Sequence, residues 1–313
     1  MTTQLYQWGD LFVCTLTVFT ATYNRGHLIE RLYRSLQRQN HFDFEWLVVD
    51  DGSQDNTPEL FSTWLAEENP FPIRYYRQEN KGLISALNRG IELAAGQYFA
   101  KIDSDDYVVD DYIENIMNWL DRIEDANDVY AVSGIRVKPD GTPIKGCWPQ
   151  IPDVPGYVDA TDLERSKYDL DADMSEAWRT DILREYGFPV WSGEKFAPEQ
   201  ITFFKIALDG WKIRWYSKAM CICEYQENGL TLGASKLEKQ NPMGYAMMYN
   251  QHILLQKRFS RKLRNAMQMT ALAYYAGHLE YLRESNSKLA TILSFPAGIL
   301  LGFRRQYQYS KIK

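Results

Sequence analysis

Up to about residue 135 the chain alternates short β-branched, apolar runs with segments whose apolar residues recur every three or four positions. Phe12 to Thr20, Phe44 to Val49, Ile73 to Tyr76, Tyr98 to Ile102 and Val129 to Ser133 read as strands. Between them, Gly26 to Gln39 sets Leu28, Leu32 and Leu36 on one helical face. Thr57 to Ala66 has Pro58 suited to a first turn, and Gly82 to Ala95 is a helix stopped by Gly96. Asp111 to Ile123 sets Ile113, Ile116 and Leu120 along one face. Strand–helix alternation means parallel strands joined by right-handed crossovers. The expected class is therefore α/β, with a mostly parallel central sheet and a C-terminal helical extension.

Ligands of such sheets bind beyond the carboxyl ends of the strands. Three strands here end in polar, reactive residues: Thr20-Ala21-Thr22-Tyr23-Asn24, Asp50-Asp51-Gly52-Ser53 and Asp103-Ser104-Asp105-Asp106. Parallel order places all three on one edge. In the third, a run from Gln97 to Ile102 stops in three carboxylates within four residues. Like charges repel, and each must stay hydrated or paired. A divalent cation supplies the pairing, since hard cations such as Mg²⁺ take carboxylate oxygens and fill their remaining positions with substrate phosphates. The other reading is a solvated acidic turn that caps the next helix. Asp50-Asp51-Gly52-Ser53 likewise suits a plain turn. Lys81 and Gly82 open a helix whose free N–H groups and dipole attract phosphate; a solvated lysine is the alternative.

At 313 residues the chain exceeds one average domain. The net charge of −6 hides an asymmetry: residues 252–313 hold 11 Lys/Arg against 2 Asp/Glu, and the remainder holds 24 against 39. Such a split suggests two units, with the basic tail facing an anionic partner. Cys14, Cys147, Cys221 and Cys223 lack zinc spacing and read as reduced thiols of a cytosolic protein. No signal peptide is expected, because Leu11 to Ala21 lacks a basic flank and is too short to span a bilayer. Pro139 to Asp173 reads as an irregular excursion, Ser175 to Tyr186 as helical, and Ile201 to Leu208 as an apolar helix. Lys212 to Tyr216 and Ala219 to Tyr225 are β-like, Asn228-Gly229 is a turn or mobile loop, and the chain is helical from Pro242. Leu289 to Phe303 is nearly apolar, broken by Pro296, Gly298 and Gly302 and followed by Arg304 and Arg305. It falls short of the roughly 20 residues that span a bilayer. It suits an interfacial segment beside anionic lipid, or a helix packed on the rest of the protein. No nucleic-acid-binding motif accompanies the basic tail.

Taken in order, "TATYNR" at Thr20 to Arg25, "VVDDGSQDNT" at Val48 to Thr57, "NKGLISALNRGIELAAGQYFAKIDSDD" at Asn80 to Asp106 and "PEQ" at Pro198 to Gln200 resemble a family 2 glycosyltransferase of the GT-A, Rossmann-like fold. The resemblance covers roughly residues 12 to 225 and implies a nucleotide-sugar-binding domain at 1–235 and a basic helical region at 236–313. It implies that Thr20, Tyr23, Asp50 and Asp51 form a uridine pocket, with Asp51 reading the base. Lys81 and Gly82, helped by Asn88 and Arg89, would meet the nucleotide. Asp103, Ser104 and Asp105 match the family's DXD motif, so Asp105 would ligate Mg²⁺ or Mn²⁺ and Asp103 would approach ribose or the metal. Asp106 is left between assisting the metal and capping the next helix.

Glu199 matches the family's catalytic base in an "ED"-like pair whose second position is Gln200 here, which leaves Glu194 as an alternative. Glu199 follows Pro198 in a first helical turn, where the dipole favours its ionised form. The implied activity is inverting, metal-dependent transfer of a sugar from a nucleoside diphosphate donor, preferably a UDP-sugar, to an acceptor hydroxyl. A lipid-linked glycan of a capsule, lipopolysaccharide or exopolysaccharide pathway is the expected acceptor. The enzyme is expected to be cytoplasmic, peripheral on the inner face of the membrane, with no nucleic-acid partner. The rivals are a catalytically inactive nucleotide- or glycan-binding relative and a sugar-phosphate nucleotidyltransferase; the Gly-rich, Arg-containing loop of the latter is absent from "TATYNRG".

Overall fold

A computed structural model describes residues 4–6, 14–224 and 234–312. Two compact units emerge: Met1–Gly187 with Phe203–Gln226, and Phe188–Thr202 with Glu227–Lys313.

The first unit is built on a ten-stranded sheet. In chain order its strands are β1 Gln4–Tyr6, β2 Cys14–Thr22, β3 Phe44–Asp50, β4 Ile73–Arg77, β5 Gly96–Lys101, β6 Tyr107–Val108, β7 Val129–Val137, β8 Val158–Ala160, β9 Met174–Arg179 and β10 Lys212–Ile222. Helices α1 Gly26–Gln37, α2 Thr57–Ala66, α3 Leu83–Leu93, α4 Tyr112–Asp121 and α5 Thr180–Tyr186 connect them. The order across the sheet is β1-β4-β3-β2-β5-β9-β7-β10-β6, with β8 paired to β10. β4, β3, β2 and β5 run parallel, as do β7 and β10. This mostly parallel sheet, followed by C-terminal helices, has the architecture expected from the alternation.

On one face of the sheet Leu16, Val18, Trp46 and Val48 are fully buried against Ile29, Leu32 and Leu36 of α1. Tyr33 stacks on Trp64 at 4.3 Å and Phe61 on Tyr75 at 4.5 Å. Such ring pairs each add about 0.5–1.5 kcal/mol beyond their buried area. The Phe61–Tyr75 pair lies beside the end of β3, where the Tyr75 hydroxyl donates to Asp50.

Three expectations need correction. Ser175 to Tyr186 is not one helix: its first half belongs to β9, which runs antiparallel between β5 and β7, with Ala100 opposite Ala177 and Ala131 opposite Trp178. Two parallel-facing neighbours leave open a full row of backbone partners. Pairing with that row overrides local helix preference. α5 then starts at Thr180, whose hydroxyl donates to Gly96 O at 2.8 Å. The two β-like runs after Lys212 form a single strand with a register shift between Trp215 and Ala219. The irregular excursion contains β8 and a 3-10 helix at Asp162–Lys167, opened by a Thr161/Glu164 capping box. Asn228-Gly229, and Tyr225 at the end of the second β-like run, lie outside the described residues.

The second unit contains α7 Ala234–Gln240, α8 Pro242–Leu255, α9 Phe259–Ala276, a 3-10 helix at Leu279–Glu284 and α10 Lys288–Tyr309. One more helix, α6 Gln200–Leu208, has residues in both units. Met243, Ala246, Ile253, Met269 and Leu272 form the second unit's core. α10 continues through Pro296 rather than breaking there. It presents Ala290, Thr291, Ser294, Gly298 and Gly302 as a buried face of small residues. A Cβ on Gly298 would fall 2.6 Å from Thr270 Cβ, and one on Gly302 2.6 Å from Tyr274 Cδ1. Equal steps along both helices mean that α9 and α10 lie side by side in the same direction. Among the described residues no helix is long and apolar enough to cross a membrane.

Candidate active site

β2 and β3 are parallel neighbours with Thr22 opposite Asp50, and β2 and β5 with Phe19 opposite Lys101. Their polar ends therefore share one edge. Asn24, at φ 53°, turns the chain out of β2 toward α1. Its backbone N–H donates to Ser53 Oγ at 2.9 Å and its Oδ1 accepts from Gln54 N at 2.7 Å. The β2 and β3 loops are thus laced together.

Asp50 and Asp51 have different surroundings. Asp50 is fully buried; it accepts from Ser53 N at 2.8 Å and from the Tyr75 hydroxyl, with Arg77 Nε at 3.8 Å. Burial, then the bonded carboxylate, pushes the Tyr75 hydroxyl well up. Asp50 is spent within the protein, closing the turn. Asp51 accepts three bonds of 2.8 Å: from Gln78 Nε2 and Lys81 N on Oδ1, and from Gly82 N on Oδ2. It fixes the backbone at the start of α3. Gly82 there has φ 91° and ψ 166°, a conformation open essentially to glycine alone. Thr20 is fully buried with its hydroxyl taken by Trp46 Nε1 at 3.1 Å, whereas Tyr23 and the Lys81 side chain are exposed. Arg89 pairs with Glu92 at 3.0 Å on the exposed side of α3.

Beyond β5 the acids are held by cations that the sequence reading missed. Arg136 of β7 reaches Asp103 at 3.0 Å and Asp106 at 2.9 Å through Nη1. Lys101 Nζ lies 3.5 Å from Asp103, and Arg25 Nη1 lies 3.0 Å from Asp105 Oδ2. Arg31 Nη2 donates to Asp105 O at 2.8 Å. Desolvation opposes ionisation of Asp103, but Lys101 and Arg136 outweigh it and hold the carboxyl down at about 2. Asp106 moves the other way, pushed up to about 7 by burial against the pull of Arg136. It accepts from the Cys223 thiol at 3.0 Å and lies five residues before the Asp111 cap of α4, so it does not cap that helix. Ser104 is buried between the two outer acids of the motif.

The donor set suits a hard cation. Asp103 and Asp105 offer part-exposed carboxylates, with side chains 38% and 23% exposed. Among the described residues Asp105 is engaged only through Oδ2 and its backbone, leaving Oδ1 open. Asp106 with Cys221 and Cys223 forms a second close group. Its thiols are soft donors, and Cys221, burial and nearby charge raise the Cys223 thiol far above its usual range.

Glu199 belongs to the second unit and immediately precedes α6, with its carbonyl accepting from Thr202 N at 3.0 Å. Glu194 has another role: its carboxylate accepts from Met243 N at 2.7 Å and Gly244 N at 2.8 Å, capping α8. Trp178 stacks on Phe203 at 5.2 Å, and Trp191 packs on His278 and Tyr281.

Residues 17–159 match the family model described as Glycosyl transferase family 2. The glycosyltransferase GlyG of Streptococcus pneumoniae is 34% identical over 102 residues, which are 32% of this chain and 33% of GlyG. The chain thus matches about a third of that relative's length. S. aureus TarS 1-349, solved in complex with UDP-GlcNAc, superposes with a TM-score of 0.59 at 17% identity, over 91% of this chain and 90% of that one. The mannosyltransferase PcManGT of Pyrobaculum calidifontis, solved with GDP-Man and Mn²⁺, gives a TM-score of 0.52 at 19% identity, over 96% and 84%. The order of motifs along one sheet edge, the matched family model and the shared architecture agree: residues 17–159 match glycosyl transferase family 2, and the chain has the GT-A fold.

Proposed function

We propose that the protein transfers a sugar, with inversion, from a nucleoside diphosphate donor to an acceptor hydroxyl. The observation that carries this reading is the pairing, on one sheet edge, of an Asp51-ordered helix start with the Asp103–Asp105 carboxylates. The exposed Lys81 side chain at the start of α3 suits phosphate, and Asp51 with Tyr23 suits the base, for which uracil is the expected partner. Asp103 and Asp105 are the residues that would hold Mg²⁺ or Mn²⁺, whose chemistry here is to neutralise the charge of a departing diphosphate. Lys101 and Arg136 keep Asp103 ionised for that role.

Glu199 takes the proton of the acceptor hydroxyl. The hydroxyl oxygen bonds to the anomeric carbon from the face opposite the diphosphate, and the diphosphate leaves with the electron pair of the broken C–O bond. A base of this kind contributes about 10²–10⁴-fold. The acceptor is read as a lipid-linked glycan of a bacterial surface-polysaccharide pathway, met at the cytoplasmic face of the membrane.

The test is a panel of UDP-, GDP- and dTDP-sugars with Mn²⁺ and purified protein, scored by nucleotide release. One donor class should turn over, and Asp105→Asn and Glu199→Gln should each lower its rate at least about 10²-fold. Undiminished turnover in both variants would overturn the assignment.

A further inference from the structure

α10 reverses the usual arrangement of an amphipathic helix. Surface helices normally turn large apolar residues to the core and polar ones to water. Here the inward face is made of small residues packed on α9. The large ones point out: Leu289 is 60% exposed, Ile292 69%, Leu293 59%, Leu300 71%, Phe303 55% and Tyr307 64%. At about 100° per residue these positions fall in one stripe about 27 Å long. Isolated exposed apolar residues need no explanation, but a continuous stripe of this kind marks an interaction surface.

We propose that this outward face of α10 docks in the plane of an anionic lipid surface. It thereby names the membrane partner of the proposed transferase, resting on that reading for its purpose only. Charge selects the occupant. Lys288, Arg304 and Lys311 are exposed along the same helix and its end, and residues 285–313 contain no Asp or Glu. A second copy of the chain laid on this face would set these bases against one another in either orientation, with no acid on the helix to pair them. Anionic headgroups supply the missing complement. Leucine and phenylalanine side chains reach the acyl boundary, while the flanking Lys and Arg stems extend to the headgroups. Tyr307, with Lys311 Nζ 4.2 Å over its ring, has the amphipathic character of an interfacial anchor. Since α10 is not apolar enough to span the bilayer, the helix lies on the surface rather than crossing it.

Full-length protein sedimented with vesicles of phosphatidylcholine alone, and of phosphatidylcholine mixed with phosphatidylglycerol, reads the proposal directly. The wild type should pellet with the mixed vesicles at low salt. Leu293→Glu and Leu300→Glu, both at exposed positions, should each weaken partitioning about tenfold or more, with unchanged far-UV circular dichroism. Arg304→Glu should weaken binding to the anionic vesicles selectively. A wild type that stays in the supernatant with both vesicles overturns the proposal, as do Glu variants that pellet like wild type. So does a vesicle-free dimer that Leu300→Glu dissociates, since the face would then be a protein contact. Nucleotide release without vesicles separates the two readings: retained release in a non-pelleting variant supports docking through α10. A chain that pellets but releases nucleotide from no donor sinks the transferase and leaves the docking face standing.

Discussion

At the scale of single residues the site is an exercise in charge neutralisation. Three carboxylates within four residues are tolerated because Lys101, Arg136 and Arg25 stand among them. The acids were legible in the sequence, since a strand that ends in clustered carboxylates has few other uses. Their partners were not: Arg25 and Asp105 are 80 residues apart, and Arg136 and Asp103 are 33 apart, so only the strand register brings each pair together. Nor did the sequence show that Asp50 would be consumed by its own turn while Asp51 organised α3. Arg25 also yields a prediction. Its guanidinium competes for the same carboxylate as a cation bound by Asp105. Removing one part-exposed charge partner is worth about 1 kcal/mol, or roughly fivefold. Arg25→Ala should therefore tighten nucleotide-free Mn²⁺ binding about fivefold, measured by electron paramagnetic resonance of free Mn²⁺. An unchanged affinity would argue that Asp105 is not a ligand.

At the scale of elements, periodicity located most helices and parallel strands because each buries a face of its own. It failed at Ser175–Tyr186, where the missing row of hydrogen bonds between β5 and β7 decides the conformation of β9. A demand made by distant strands leaves no local trace. α10 shows the same limit: Gly298 and Gly302 read as breaks, yet they are contact points that let two helices approach closely. A leucine at Gly302 would have to displace the Tyr274 ring and the Ala271 carbonyl, 3.1 Å from its Cβ. Overpacking of this kind costs about 1–3 kcal/mol. Gly302→Leu should lower the thermal midpoint of the helical signal by several degrees, whereas Leu300→Ala, outside the packed face, should leave it within about 0.5 kcal/mol of wild type. Equal midpoints for the two variants would mean that the α9–α10 contact is not close-packed.

For the whole molecule, stability should depend on pH through two part-buried acids of the first unit that play no part in the proposed chemistry. Burial pushes Asp162 up to about 6 from 3.8, against Arg165. Burial pushes Glu176 up to about 7 from 4.5, opposed by Arg165 and assisted by Asp162. Both folded values exceed the unfolded ones, so their contribution is fully present below about pH 4 and is lost as pH rises through about 6–7. Asp103 works in the opposite sense: its contribution is present above 3.8 and lost as pH falls through about 2. Glu176→Gln should therefore stabilise the protein by about 1–2 kcal/mol near pH 8, with the gap closing near pH 5, by urea denaturation at both values. A gap independent of pH would show that the Glu176 carboxyl does not titrate in this window. The overall class, the shared edge and the ordered motifs were legible because they repeat a simple pattern; the division into compact units was less so, since Phe188–Thr202 joins a unit that resumes only at Glu227. α10 also carries a consequence for descent: with its outer face docked on lipid as proposed, the inner face tolerates changes in chemistry but not in size, and the outer face tolerates changes in size but not in polarity. Drift can exchange Leu, Ile and Phe freely on the outside while the glycines inside stay fixed, so this helix can diverge widely in sequence without losing either contact.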